Sequence, residues 1–242
     1  MTIQIFQKGF HFSQDGPGNR LVYHLQGCNL RCPWCANPEG LLCTGGEAYT
    51  VDALMDEVLR SAMLFFDGGG VTLTGGEATM QFDAVKEFLS RLRSAGIHTC
   101  METNGTHPRL KELFPLLDLL IMDLKHYDPQ FHRQVTGAPN EITIQNITAA
   151  LDTRVNLALR IPLVGGFNSA PEDAKGFAQL LTQLGIPGRA TLELLCYHEY
   201  GKPKYEALGM PYTMTDAARI SQPMLQQFKQ ILSQAGIDAI QT

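Results

Sequence analysis

The sequence predicts an α/β fold, built as one domain around a parallel sheet. Apolar runs with strand character alternate with amphipathic stretches of helical periodicity, which is typical of parallel strands covered by helices. Six such units can be counted, fewer than the eight of a closed barrel. The chain has 242 residues, enough to bury a sizeable core. No repeat, low-complexity tract or linker divides it, so we expect residues 1–242 to form a single domain.

The six predicted strands are apolar runs that end in polar or glycine-rich turns. The first, RLVYHLQG at 20–27, leads straight into a loop with three cysteines. The second, VTLTGGE at 71–77, ends in two glycines and a glutamate. The remaining strands are expected within 97–105, 116–125, 155–166 and 190–201.

Four helices are predicted from apolar residues that recur every three or four positions. The first lies near 51–62, with Thr50 as its N-cap and Asp52 in its first turn. The others are marked by apolar positions within 82–92, 177–184 and 224–232, and are followed by Gly96, Gly185 and Gly236. Residues 1–20 and 202–222 are predicted to be loops or edge structure.

Composition and charge argue against several classes of protein. Hydrophobic residues make up 44% and charged residues 18% of the chain, as in globular domains. The formal net charge of −5 and the lack of a basic run give no reason to expect a nucleic-acid partner. We expect no membrane span and no signal peptide, and hence a cytoplasmic protein. Six cysteines in such a chain indicate metal chemistry rather than disulfides.

Polar and unusual residues follow the predicted strands one after another. They are the cysteine loop, GGE (75–77), ETN (102–104), DLK (123–125), Arg160 with the following PLVGGFN, and YHEYG (197–201). In parallel α/β barrels the carboxyl ends of the strands carry the active site. We therefore expect these clusters to line one site.

Three cysteines, Cys28, Cys32 and Cys35, follow the first strand with the spacing C-x3-C-x2-C, and no fourth cysteine follows closely. Thiolates bind soft metals, and three of them can hold three irons of a [4Fe–4S] cluster, leaving the fourth iron open to a small molecule. Spacing alone leaves two alternatives, a zinc site completed by a distant histidine and buried free cysteines. The other cysteines are expected to be small buried or loop residues.

The cysteine loop, with Trp34 as its aromatic residue, resembles that of the radical S-adenosylmethionine (SAM) enzymes. More closely, the chain resembles the activating enzymes of glycyl radical enzymes, of the pyruvate formate-lyase activating type. The likeness continues in order through DGPGNR (15–20), TGGEA (74–78), GIHTCMETNG (96–105), MDLKHYDPQFHRQVTG (122–137) and YHEYGKPKY (197–205). It implies an open, partial (β/α)6 TIM-like barrel of the radical SAM type.

The resemblance also implies roles for individual residues. The three loop cysteines would ligate one [4Fe–4S] cluster, with the SAM amino and carboxylate groups on the open iron. Gly75, Gly76 and Glu77 would take the SAM amino group, since glycines allow close approach and a carboxylate accepts from an ammonium. Lys125 would meet the SAM carboxylate. The residues implied around adenine and ribose are the backbone at Trp34 and the side chain of His198.

Further residues are implied around SAM. The side chains of Glu102, Thr103 and Asp123, with the Ile121 carbonyl, match a monovalent-cation site, for which clustered oxygens are suited. The family usually has Asp where this chain has Glu102. Two residues have two readings each: Arg160 contacts SAM or forms an ion pair at the edge of the core, and Asp15 lies near the incoming glycyl peptide or caps a turn.

The implied activity is reductive cleavage of SAM to methionine and a 5′-deoxyadenosyl radical, which abstracts hydrogen from a backbone glycine of a partner glycyl radical enzyme. The ferredoxin-like insert of many relatives is absent, since only Cys43 lies between Cys35 and GGE. One cluster and an outside donor such as flavodoxin or ferredoxin are therefore expected. We also expect the protein to be a monomer. Two alternatives remain: a single-cluster radical SAM enzyme for a small molecule, and a non-catalytic iron–sulfur or zinc module.

Overall fold

Nine strands form one sheet in the computed structural model, which describes residues 1–241. The strands are β1 (Thr2–Phe12), β2 (Asn19–Leu25), β3 (Glu47–Thr50), β4 (Gly70–Gly75), β5 (Thr99–Thr103), β6 (Leu119–Asp123), β7 (Asn156–Leu163), β8 (Thr191–Cys196) and β9 (Ala239–Gln241). Their order across the sheet is β3-β1-β2-β4-β5-β6-β7-β8-β9. The end strands β3 and β9 are not paired with each other, so the barrel is open, as expected.

The parallel part of the sheet contains all six predicted strands, as β2 and β4 to β8. The short strand β9 extends it in the same direction. On the other edge β1 pairs antiparallel with β2 and with β3. The region before residue 20 is thus edge structure rather than loop, and the alternation of buried Ile3 and Ile5 with more exposed neighbours was the signal for it.

Seven α-helices are found within residues 1–241. They are α1 (Val51–Ser61), α2 (Phe82–Ser94), α3 (Pro129–Thr136), α4 (Glu141–Leu151), α5 (Pro171–Gln183), α6 (Lys202–Ala207) and α7 (Gln222–Gln234). The four predicted helices are α1, α2, α5 and α7, and the Thr50 hydroxyl accepts from the Ala53 N–H at 3.1 Å, as its N-cap role requires. No helix of this described part is long and apolar enough to cross a membrane.

The parallel strands have one side packed under the helices and one side facing the barrel interior. Leu73, Met101 and Leu159 belong to the main hydrophobic core. Successive side chains of a strand point to opposite faces, so the residues beside them point inward. The inward set is polar for the most part and includes Thr72, Thr74, Glu102, Asp123, Arg160 and Glu193, with a small apolar cluster of Cys100, Ile121 and Ala158.

Candidate active site

The carboxyl ends of the parallel strands surround one cavity of about 240 Å³. Its lining comes from the cysteine loop after β2, from the ends of β4, β5 and β6, from Pro162 and Val164 around the end of β7, and from the segment that follows β8. Each of the six clusters contributes residues to this lining, but Arg160 and Glu77 themselves lie outside it. The lining residues foreseen from the sequence are Cys28, Cys32, Trp34, Cys35, Gly75, Gly76, Glu102, Thr103, Asp123, Lys125 and His198.

Arg31 holds the cysteine loop in place through hydrogen bonds to backbone carbonyls. The Arg31 guanidinium donates to the carbonyls of Cys28 at 2.7 Å and Leu30 at 2.8 Å. The Arg31 N–H donates to the Thr136 carbonyl at the end of α3, at 2.7 Å. Cys28 is buried with Leu30 in a small apolar cluster, against which the other two cysteines of the loop pack. The three thiols are thus fixed on one side of the cavity.

A clamp formed by residues 201–204 closes over the third cysteine of the loop. A Cβ on Gly201 would come within 2.4 Å of the Cys35 carbonyl oxygen, so only glycine allows this approach. Three residues further on, the Lys204 ammonium donates to Asn37 Oδ1 at 2.8 Å. It also pairs with Glu39 at 3.2 Å. The start of α6 therefore fixes the position of the cysteine loop through its contacts with Cys35, Asn37 and Glu39.

Burial raises the pKa of the Cys28 thiol to about 12 and that of the Cys32 thiol to about 11, and it also raises the pKa of Cys35. For Cys32 the neighbouring Lys125 ammonium works in the opposite direction and favours the thiolate. Metal binding must displace these protons, because the thiolate is the ligand. Cluster loading is therefore coupled to proton release at this loop.

The donor set fits an iron–sulfur cluster better than a single zinc ion. A tetrahedral zinc needs ligands that converge on one point. No group of three His, Cys, Asp or Glu side chains within 1–241 is arranged around one such point. A [4Fe–4S] cube carries its irons at separate corners, and three thiols on one side of a single cavity suit it.

The glycine turn after β4 brings main chain close to the cavity. Gly75 has φ +123°, and a Cβ on it would lie 2.2 Å from the Leu25 nitrogen. A Cβ on Gly76 would lie 2.3 Å from the Gly27 carbonyl oxygen. The Gly76 N–H donates to the Leu25 carbonyl at 2.9 Å and the Glu77 N–H to the Gly27 carbonyl at 2.7 Å. These two N–H groups are thus used within the fold, and an incoming ammonium group would be met by the carbonyl oxygens of the turn.

Glu77 does not line the cavity, in contrast to the role that the resemblance implies for it. Its side chain is buried, and Oε1 accepts from the Thr79 N–H at 3.0 Å, the Thr79 hydroxyl at 2.6 Å and the Thr103 hydroxyl at 2.8 Å. Its Oε2 accepts from the Asn104 N–H at 2.7 Å. The carboxylate therefore joins the turn after β4 to the end of β5.

Lys125 and Asp123 lie side by side at the end of β6. The Lys125 ammonium is 2.7 Å from Asp123 Oδ2. Burial works against the charge of Lys125, but Asp123 and the neighbouring thiol of Cys32 raise its pKa above the usual value. This ammonium therefore stays charged in the cavity. Trp34, which also lines the cavity, packs on Phe167, with ring centroids 4.6 Å apart.

A second cavity of about 810 Å³ continues from the first into the barrel interior. His198 and Cys196 line both cavities, so the two spaces are contiguous. The second is lined by Ile121, Arg160, Glu193, Tyr200 and the turn around Gln14 that precedes β2, among others. Sequence reasoning missed Glu193, although its alternation with Leu192 and Leu194 marked it as inward-facing.

Arg160 forms an ion pair with each of two carboxylates, as one of its two readings proposed. It contacts Glu102 on β5 and pairs with Glu193 on β8 at 2.7 Å. Asp15 lies outside both linings. Its carboxylate pairs with His11 at 2.5 Å, and its backbone carbonyl accepts from the Thr72 hydroxyl at 2.7 Å.

Comparison with known proteins agrees with this geometry. Residues 22–181 match the model of the Radical SAM superfamily. The pyruvate formate-lyase 1-activating enzyme of Escherichia coli (strain K12) is 33% identical over 227 residues, covering 92% of each chain. The (2S)-3-sulfopropanediol dehydratase activating enzyme of Klebsiella oxytoca is 28% identical over 294 residues, covering 93% of this chain and 92% of that protein.

Among solved structures, a domain of pyruvate-formate lyase-activating enzyme from Bacteroides vulgatus ATCC 8482 superposes with a TM-score of 0.58 at 27% identity. It covers 72% of this chain and 99% of its own. The chain therefore belongs to the radical SAM superfamily, and within it to the activating enzymes of glycyl radical enzymes, which use a [4Fe–4S] cluster and SAM.

Proposed function

We propose that this chain installs a radical on a backbone glycine of a partner glycyl radical enzyme, and that the two contiguous cavities are where it does so. The observation that carries the proposal is that three thiols, a glycine turn and a buried ammonium line one small cavity that continues into an open barrel interior. A closed small-molecule pocket would not need the second space. The open interior suits a loop of a protein substrate.

The chain's own residues have distinct roles in this proposal. Cys28, Cys32 and Cys35 hold the cluster, and the Lys125 ammonium takes the carboxylate of SAM. The turn at Gly75 and Gly76 accepts from the SAM ammonium. When bound, the reduced cluster and SAM supply the reductive sulfonium cleavage that yields a hydrogen-abstracting 5′-deoxyadenosyl radical. The protein positions these groups and excludes water from them.

The remaining walls of the cavity hold the nucleoside part of SAM in the same proposal. Trp34, supported by Phe167, provides an apolar surface and adjacent backbone for the adenine. His198 stacks on Tyr200 with ring centroids 4.0 Å apart, and lies where the two cavities meet. The second cavity, which begins at His198, would then receive the glycine of the substrate loop.

The partner and the electron donor belong to the same proposal. We infer a partner of the pyruvate formate-lyase or diol dehydratase class, because the relatives named above are activating enzymes for a lyase and a dehydratase. An external one-electron donor such as flavodoxin or ferredoxin is proposed because only Cys43 lies between Cys35 and the GGE turn, which is too few cysteines for a second cluster. A monomeric, cytoplasmic protein stays a prediction that size-exclusion chromatography and cell fractionation test.

The test is anaerobic turnover with SAM. The cluster is reconstituted and reduced, and 5′-deoxyadenosine is measured for the wild type and for Cys32→Ala, with Cys43→Ala as a matched control at an exposed cysteine outside the site. We expect product from the wild type and the control, and none from Cys32→Ala. Absence of product with a reduced, SAM-bound cluster would contradict the proposal.

The partner is tested by electron paramagnetic resonance. Pyruvate formate-lyase and a diol dehydratase are each incubated with the enzyme, reductant and SAM, and we expect a glycyl radical signal in one of them. Turnover of SAM driven by a small metabolite, with no radical in any protein partner, would favour the small-molecule alternative instead.

A further inference from the structure

Arg160 lies among three carboxylates in the barrel interior. It pairs with Glu193 on one side at 2.7 Å and contacts Glu102 on the other. Asp123 is its cross-strand neighbour on β6. The side chains of Arg160, Glu102 and Glu193 are 12%, 18% and 15% exposed, so solvent screens these charges weakly. Burial opposes the charge of Arg160, but the carboxylates keep its pKa above the usual range.

The residues that the resemblance assigns to a monovalent cation are occupied by other partners. Glu102 uses one oxygen for Arg160 and accepts on the other from the Thr74 hydroxyl at 2.9 Å. The Asp123 carboxylate is paired with the Lys125 ammonium at 2.7 Å. These contacts leave neither carboxylate without a cationic partner.

The two remaining groups are also engaged. The Thr103 hydroxyl donates to Glu77 at 2.8 Å, and its oxygen accepts from the Gly105 N–H at 3.0 Å. Ile121 lies within β6 and is paired with a strand on each side, where backbone carbonyls serve the sheet ladder. The set of residues therefore does not fit a bound alkali ion.

The length of the side chain at position 102 explains the arrangement. Glu102 starts on β5, and Arg160 starts two strands away on β7. The additional methylene of Glu over Asp lets the carboxylate extend across the interior to the guanidinium. The guanidinium carries the same single charge as an alkali ion, but it is covalently part of the chain and needs no recruitment from solution.

We propose that the Arg160 guanidinium takes the place of the monovalent cation in this chain, so that SAM binding needs neither K⁺ nor Na⁺. The inference rests on the proposed SAM site. Arg160 is a positioning residue here, because it acts on SAM by holding Glu102 at the wall of the cavity. Removing it would leave two buried carboxylates unpaired, which is strongly unfavourable unless another cation enters.

The first test measures the Kd of SAM for the cluster-loaded enzyme by titration calorimetry. The buffers contain KCl, NaCl or choline chloride at one ionic strength. We expect values within twofold of one another, and no bound ²³Na⁺ detectable by NMR relaxation on the SAM complex. Saturable tightening of SAM binding by tenfold or more in K⁺ or Na⁺ would overturn the proposal.

Two variants test the role of the residues directly. Arg160→Met should weaken SAM binding at least tenfold in choline chloride and recover part of it in KCl, whereas Arg154→Met removes an exposed arginine and should change neither. Glu102→Asp, which keeps the charge, should make SAM binding respond to K⁺ because the shorter carboxylate no longer reaches Arg160. Wild-type affinity of Arg160→Met in choline chloride, or a Glu102→Asp enzyme indifferent to K⁺, would contradict the proposal.

The outcome also separates this inference from the proposed function. A cluster-loaded chain that binds no SAM in any of the three salts would refute the proposed SAM site, and this inference with it. Tight SAM binding that depends on an alkali ion would leave the proposed function intact and refute only the replacement by Arg160.

Discussion

Replacing Glu77 by Gln removes one acceptor from a buried carboxylate that receives four hydrogen bonds. Three of them end on Oε1, which an amide oxygen can replace. The fourth comes from the Asn104 N–H to Oε2 at 2.7 Å. In the variant an NH₂ group faces that N–H, so two donors oppose each other in a site without solvent.

The expected loss of stability follows from this geometry. A hydrogen bond to a charged group contributes about 1.5–3 kcal/mol, and a buried donor left without a partner costs a similar amount. We therefore expect Glu77→Gln to lower the free energy of unfolding by about 2 kcal/mol. For a chain of this length that corresponds to a fall in Tm of about 4–8 °C.

The assay is urea unfolding of the cluster-loaded protein under anaerobic conditions, with the Kd of SAM measured in parallel. Glu206→Gln, at an exposed position of α6, is the matched control and should stay within about 0.5 kcal/mol of the wild type. If Glu77→Gln unfolds like the control but loses SAM affinity by tenfold or more, the carboxylate is a SAM ligand and our reasoning is wrong.

Three further changes have defined outcomes. Gly201→Ala should push the Cys35 backbone and lower the iron content per chain, whereas Gly9→Ala, which has open space around it, should not; equal iron contents would contradict the clamp. Lys125→Met should weaken SAM binding about tenfold, the loss of one charge-assisted hydrogen bond, and an unchanged Kd would remove Lys125 from the site. His24 is buried without hydrogen-bond partners, and burial lowers its pKa from 6.5 to about 4. Between pH 4 and pH 6.5 the unfolded chain therefore binds a proton that the folded chain does not. The His24 contribution to stability is full above pH 6.5 and falls by about 3 kcal/mol toward pH 4. His24→Phe should make the free energy of unfolding, measured with urea, depend less on pH. An unchanged pH dependence would contradict this role of His24.

The central strands could be predicted because they are buried on both faces. A run such as VTLTGG has strand character on its own. The glycines and the glutamate that follow it are typical of a functional turn rather than of an ordinary connection. The helices α3, α4 and α6 were missed for local reasons, and α6, in the region expected to be loop or edge structure, has only six residues. The first has eight residues, and the second carries Ile and Thr at positions where helical periodicity is hard to recognise. The strand β9 has three residues and is specified by pairing with β8 rather than by its composition.

The candidate site could be predicted as a set of positions but not as a set of contacts. Strand ends place Lys125 and Glu102 at the rim, and the structure places both there. The hydrogen-bond and ion-pair partners of each side chain depend on distances across the barrel, and these distances cannot be read from the sequence. Glu77 shows this: it follows a glycine turn that lines the cavity, yet its oxygens are used by Thr103 and Asn104 from the neighbouring strand.

The clamp on the cysteine loop has a consequence for biogenesis. Gly201 and Lys204 follow Cys35 by more than 160 residues, and both contact the loop directly. During synthesis the three cysteines leave the ribosome long before these residues exist. The nascent chain therefore presents the thiols in an unclamped loop, and their final arrangement waits for the last part of the chain. A cluster would therefore find its finished site only once translation is almost complete.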